Sequence, residues 1–159
     1  MATITRKTMP HRNNLGSTPW GNLNALLYVL TTNAAGALEN SDSAAAIASG
    51  DKVRVGVIPA GTLLYDSQVI VSTPMSANVT LSVGFEYVDG VDSSIVPQSA
   101  TYFGTALAAS AAARLRNATA NAPVTLPKDA YLILTTGGAA NAKASRVDVV
   151  LEGISEGVA

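Results

Sequence analysis

The sequence predicts an all-β fold, an antiparallel jelly roll or β-sandwich with an extended N-terminal arm and at most one short helix. Three observations carry that expectation. Large apolar residues alternate strictly with small or polar ones in short runs, above all Val79, Leu81, Val83, Phe85 and Tyr87 against Thr80, Ser82, Gly84 and Glu86. This is the period of a strand with one buried face. Turn chemistry closes those runs: in Ile58-Pro59-Ala60-Gly61 proline fixes φ and glycine accepts a positive one, and Asp89-Gly90 is a second turn signal. About seven or eight such runs recur at spacings of roughly 8 to 12 residues, as a sandwich or jelly roll requires.

The 159 residues divide into an arm, residues 1–22, and a sandwich domain, residues 23–159. The arm holds Arg6, Lys7, His11 and Arg12 with no acid and cannot form a core alone. It is expected to be mobile in the free protein and to order on a partner, with Arg6, Lys7 and Arg12 meeting carboxylates and Trp20 as an apolar anchor. On that expectation, deleting Met1 to Gly16 leaves the melt of the free domain nearly unchanged.

Leu23 to Thr32, a short apolar run with β-branched residues at its end, is expected to be a strand buried on both faces. Asn33 to Gly50 is small and polar and is expected to be a loop, with Ser41 a candidate cap for one turn of helix. Val53, Val55 and Val57 alternate before the Pro59 corner, and Thr62 to Thr73 forms the next strand. Pro97 makes Ile95 to Phe103 an edge or irregular segment. Thr105 to Arg116, TALAASAAARLR, has the highest helix propensity in the chain, with arginines where a helix dipole favours them. Pro123 to Pro127 and Asp129 to Thr136 are two further strands. Gly137 to Ala142 is expected to be a flexible tip, and Lys143 to Gly153 closes the domain with Val147, Val149 and Leu151 inward.

Composition excludes whole classes of chemistry. There is no cysteine and one histidine, His11 in the arm, so triads built on Cys or Ser with His and His-rich metal sites lack their residues. No catalytic residue, metal ligand or cofactor is expected. Glu86, Asp89 and Asp92 put three carboxylates around one turn, suited to calcium or an acid/base pair, but Asp-Gly is turn chemistry first and a solvated β-turn is favoured. The aromatics lie mainly within strands, as core residues do, rather than on a sugar-stacking platform. A formal net charge of −1 supplies no basic field for nucleic acid or acidic membrane. No apolar run reaches the roughly 18 residues of a membrane span, and MATITRKTMPHRNNLG lacks the apolar centre of a signal peptide. Synthesis in a cytoplasm is expected. Charged residues are 13% of the chain against about 25% ordinarily, which suits a protein packed against neighbours. A closed homo-oligomer is expected, a trimer in preference to a dimer.

The order of these segments resembles a known family. An Ile-Pro-Ala-Gly corner, a strand ending in VGFEYVDGVD, a Tyr102-Phe103 pair with an alanine-rich stretch, LPKDAYLILTT and a closing VDVVLEG are similar to the jelly-roll capsid decoration, or cement, proteins of tailed bacteriophages. The resemblance spans roughly Asp51 to Gly153. It implies a non-enzymatic virion protein on the capsid exterior, with the major capsid protein and itself as partners, clamping adjacent major capsid proteins after head expansion. Its motifs mark strands and turns and transfer no contact residue. The alternative is a carbohydrate- or receptor-binding β-sandwich of a phage tail or fibre.

Overall fold

Where large side chains alternate, strands form, and at the Pro59–Gly61 corner the chain passes from one sheet to the other. The computed structural model describes residues 1–7, 23–116 and 119–155, and within them there are ten strands and no helix. They are β1 (Thr3–Thr5), β2 (Leu23–Thr32), β3 (Lys52–Ile58), β4 (Thr62–Thr73), β5 (Thr80–Tyr87), β6 (Ser99–Ala108), β7 (Ala113–Arg116), β8 (Val124–Thr125), β9 (Ala130–Gly137) and β10 (Ser145–Ser155). One sheet has the order β1-β3-β9-β5-β6; the other has β2-β10-β4-β7, with β8 also on β4. From β2 onward the chain passes repeatedly from one sheet to the other, and every pairing is antiparallel except β1 on β3. Two four-stranded antiparallel sheets wound in this way are a jelly roll, here with β1 and β8 added.

The core lies between the sheets. Val79, Leu81, Val83, Phe85 and Tyr87 are all buried, as are Val147, Val149 and Leu151 of β10. Phe85 meets Tyr87 and Tyr102 edge-on at 5.9 and 5.4 Å between ring centroids, the geometry that the aromatic quadrupole favours. Gly84 lies against β6, where an added Cβ would stand 2.0 Å from the Ser99 carbonyl oxygen. At the Pro59 corner Gly61 takes φ 72°, and the Asp129 carboxylate accepts the Ala60 N–H at 2.8 Å.

Four expectations are corrected. Thr105 to Arg116 is not helical: its first part completes β6 against β5, and Ala113–Arg116 pairs with Val71 to Gln68 of β4. An alanine helix would bury only small side chains, whereas a strand here satisfies backbone groups on β4 and packs Leu107 and Leu115 on the core. Leu23 to Thr32 is buried on one face, with Leu26, Tyr28 and Leu30 inward while Leu23 and Leu27 are 58% and 40% exposed. Ser41 caps no helix; its hydroxyl bonds the Leu38 and Ser43 carbonyls at 2.8 and 2.6 Å. The Gly137 to Ala142 tip is tied down, because buried Asn141 donates to Thr32 Oγ1 at 3.0 Å and to the Lys143 carbonyl at 2.8 Å while accepting from Ser76 N–H at 3.0 Å.

The start of the chain is also part of the fold. Thr3–Thr5 pairs in parallel with Lys52, Val53 and Arg54, and Ile4 is buried in the core at 3% exposure. Ala2 N–H is accepted by Asp51 Oδ1 at 2.7 Å and Thr5 N–H by Asp42 Oδ1 at 3.0 Å. A stability-neutral deletion of Met1 to Gly16 is therefore no longer expected.

Candidate docking surfaces

Two of the four arm residues singled out from sequence are described. Arg6 turns back onto the domain, its Nη1 donating to the Val29 carbonyl at 3.0 Å. Lys7 is exposed, and its backbone N–H bonds the Asn40 carbonyl at 2.7 Å. Arg12 and Trp20, with His11, lie outside the described residues.

The three carboxylates of the β5 turn do not converge. Glu86 projects from β5 between Lys52 and Arg54 of β3, at 2.5 and 2.6 Å, and Arg54 stacks 4.6 Å from the Tyr131 ring centroid. Asp89 accepts from Lys128 at 2.8 Å, and Asp92 accepts the N–H groups of Ser93 and Gln98 at 2.8 and 2.7 Å. Among the described residues no three His, Asp or Glu side chains are grouped to hold a metal ion. Asp89 and Asp92 are held in turn and loop structure, as favoured from the sequence, whereas Glu86 is not part of a solvated turn but of a cross-strand ion pair with Lys52 and Arg54.

Burial opposes ionisation of Glu86, but hydrogen bonds from Lys52 and Arg54 outweigh it and hold its pKa below the ordinary 4.5. A carboxylate with a depressed folded pKa contributes stability that is fully present above its unfolded pKa and is lost as pH falls through the folded one. Glu86→Gln is expected to cost about 1 to 2 kcal/mol at pH 7, because both cations are partly solvated. In urea melts the gap from wild type should narrow below pH 4.5; a gap independent of pH would show that the charge contributes nothing.

The loop after β5 presents apolar side chains from a rigid frame. Tyr87 donates its hydroxyl proton to the Val96 carbonyl at 2.5 Å, and Lys128 Nζ bonds the Val91 carbonyl at 2.8 Å while lying 4.7 Å from the Tyr87 ring centroid. From this frame Val88, Val91 and Ile95 face solvent, Ile95 at 84% exposure. Three such exposed side chains lie on one loop, and a loop already held by hydrogen bonds binds at little ordering entropy. Sequence reasoning passed over this segment because its Asp, Ser and Gly residues have loop composition. The isolated Val91 and Ile95 within that composition were the available signal.

A cleft of about 410 Å³ lies beside β6, lined by Thr101, Gly104, Thr105, Leu107, Thr119 and Asn121. Its lining includes no aromatic ring; neighbouring Tyr102 is buried with its hydroxyl on the Ala122 carbonyl at 2.7 Å. On the other sheet the outer face carries Tyr65 bonded to Glu152 at 3.2 Å and ion pairs Arg116–Asp66 and Arg146–Asp148. These exposed pairs add little stability.

No protein-family model and no curated protein matches the sequence. Solved structures do match. A chain in the capsid of Ralstonia phage GP4 superposes with a TM-score of 0.61 at 12% identity, covering 99% of this chain and 100% of that one. A chain of the cyanophage Pam1 capsid asymmetric unit gives 0.57 at 16% identity, covering 92% and 97%. The likeness is one of fold: the two sheets described above are the architecture of chains found in two phage capsids.

Proposed function

We infer that this chain is a virion structural protein, a decoration or cement protein that binds the outer surface of a phage head and stabilises contacts between major capsid proteins. The observation that supports it most is two-way coverage, since the fold matches a chain of a phage capsid over 99% of this chain and 100% of that one. The low charge and the dispersal of the β5-turn carboxylates into structural bonds fit a non-enzymatic role. A ligand that binds only the assembled shell stabilises it by mass action, and repetition over a symmetric lattice adds avidity.

The docking surface is the rigid apolar loop at Val91 and Ile95, supplemented by cationic contacts from Lys7 and Arg12 with Trp20 as anchor. Arg6, engaged with the Val29 carbonyl, holds the start of the arm in place rather than meeting the capsid. Co-sedimentation with undecorated heads of the cognate phage tests this. Val91→Asp with Ile95→Asp should abolish retention at every salt concentration, since loss of desolvated apolar contact is not screened. Lys7→Glu with Arg12→Glu should weaken it and flatten its salt dependence. Retention of both variants at the wild-type level overturns the docking surface, and failure of the wild type to bind overturns the cement role. The hydroxyl-lined cleft beside β6 is the observation on the side of a glycan-binding tail or fibre protein; saturable glycan binding lost in Asn121→Ala would select that reading instead.

A further inference from the structure

The cations of this chain are not all neutralised alike. Among the described residues, Arg116 meets Asp66 and Arg146 meets Asp148 one to one, while Glu86 is shared by Lys52 at its Oε2 and Arg54 at its Oε1. Two cations on one carboxylate leave the cluster a net charge of +1. The bridge runs from β3 to β5 and so spans β9, which lies between them in the sheet. Ile133 of β9 is in register with Arg54 and Gly84. It alternates away from the core residues Leu132 and Leu134 and is still only 1% exposed. The cluster therefore rests on a packed apolar floor.

Arg54 is held at two points. Its Nε donates to Glu86 Oε1 at 2.6 Å, and its guanidinium lies 4.6 Å from the Tyr131 ring centroid, so both the plane and the position of the group are set by neighbouring strands. A guanidinium carries N–H donors on three nitrogens, and only Nε is used here. Nη1 and Nη2 bond nothing among the described residues, and the side chain is 32% exposed. The donors on both Nη atoms are left for a ligand.

We propose that Arg54, set in place by Glu86 and Tyr131, is a receptor for one carboxylate, an Asp or Glu side chain on the surface of a protein partner. The two oxygens of a carboxylate match Nη1 and Nη2 as a pair of parallel charge-assisted hydrogen bonds. Because the guanidinium is already positioned, little side-chain entropy remains to be lost on binding. Lys52, whose Nζ bonds Glu86 at 2.5 Å, adds charge of the same sign beside it. Charge also selects carboxylate over phosphate. One surplus charge neutralises one carboxylate, whereas nucleic acid and anionic lipid are met by several cations together, and the chain as a whole has a net charge of −1. Composition alone pointed to Arg6, Lys7 and Arg12 for carboxylate recognition. Arg6 is engaged with the Val29 carbonyl, and Arg54 offers the same chemistry from a strand. The receptor does not rest on the virion reading and is tested without heads.

Side-chain NMR of the free protein tests it, with a blocked Gly-Glu-Gly peptide as the probe and a blocked Gly-Gln-Gly peptide and inorganic phosphate at matched ionic strength as comparisons. The Glu peptide should move the Arg54 Nε–Hε signal and the Tyr131 ring signals along a saturating curve. The Gln peptide should leave them in place, and phosphate should move them less. Arg54→Lys keeps the charge but loses the fork, and should raise the Kd read at Tyr131 about fivefold, since one of two parallel bonds is lost at a partly solvated site. Arg146→Lys, on the other sheet, should bind as the wild type does. Equal responses to the Glu and Gln peptides, a phosphate response matching that of the Glu peptide, or an Arg54→Lys that binds as tightly as the wild type overturns the receptor. The peptide comparison uses wild-type protein alone, so it decides the matter even where Arg54→Lys fails to fold.

Discussion

Replacing Phe85 with alanine is expected to destabilise the domain by about 3 to 5 kcal/mol, the range for removing a buried aromatic ring. Phe85 is 1% exposed and packs edge-on against Tyr87 and Tyr102, with Tyr102 in turn edge-on to Phe103 at 4.8 Å. The backbone around it cannot collapse into the void, because Gly84 is already in contact with β6. Phe85→Leu keeps most of the volume and should cost much less, about 1.5 kcal/mol or under. Urea melts of the two variants measure the difference. A loss below about 1 kcal/mol for Phe85→Ala would mean that the cluster does not organise the core.

Deleting Met1 to Arg6 is expected to cost about 3 to 5 kcal/mol, a fall in Tm of roughly 6 to 20 °C. The deletion removes Ile4 from the core, strips β1 from the edge of β3 and takes the Arg6 guanidinium from Val29. It also leaves Asp51 Oδ1 without its bond to Ala2. Ile4→Ala isolates the packing part and should account for about 2 kcal/mol or more. An unchanged melt after the deletion would put β1 off the domain in the free protein. This contrasts with the arm as read from composition, where basic residues without acids suggested a tail that matters only on the particle.

Some features were legible because they are local. The alternation from Val79 to Tyr87 assigns its own inward face, since a strand's side chains alternate whatever it packs against. The Pro59 to Gly61 corner and the Asp89-Gly90 turn were readable for the same reason: their dihedral constraints belong to the residues themselves. The bounds of β4, Thr62–Thr73, coincide with the run read from sequence. The candidate docking surface was less legible, because exposure of Val91 and Ile95 depends on a frame of bonds from Tyr87 and Lys128, residues that join the loop only in three dimensions.

By itself the sequence determined the fold class, the inward face of the central strands and an inventory of no cysteine and one histidine, because pattern and inventory are properties of the chain. Tertiary structure decided which strands lie at edges. Thr3–Thr5 is too short to announce itself, yet it is held by Asp51, Asp42 and β3. Thr105 to Arg116 has helical propensity worth a few tenths of a kcal/mol per residue, which cannot outweigh the hydrogen bonds and partly buried leucines gained by joining β5 and β4. Leu23 and Leu27 look like core residues in the sequence and are exposed because β2 turns their face outward at the end of its sheet. Whether a leucine is covered depends on the neighbour across the sheet, and that neighbour is chosen by residues far away in the chain.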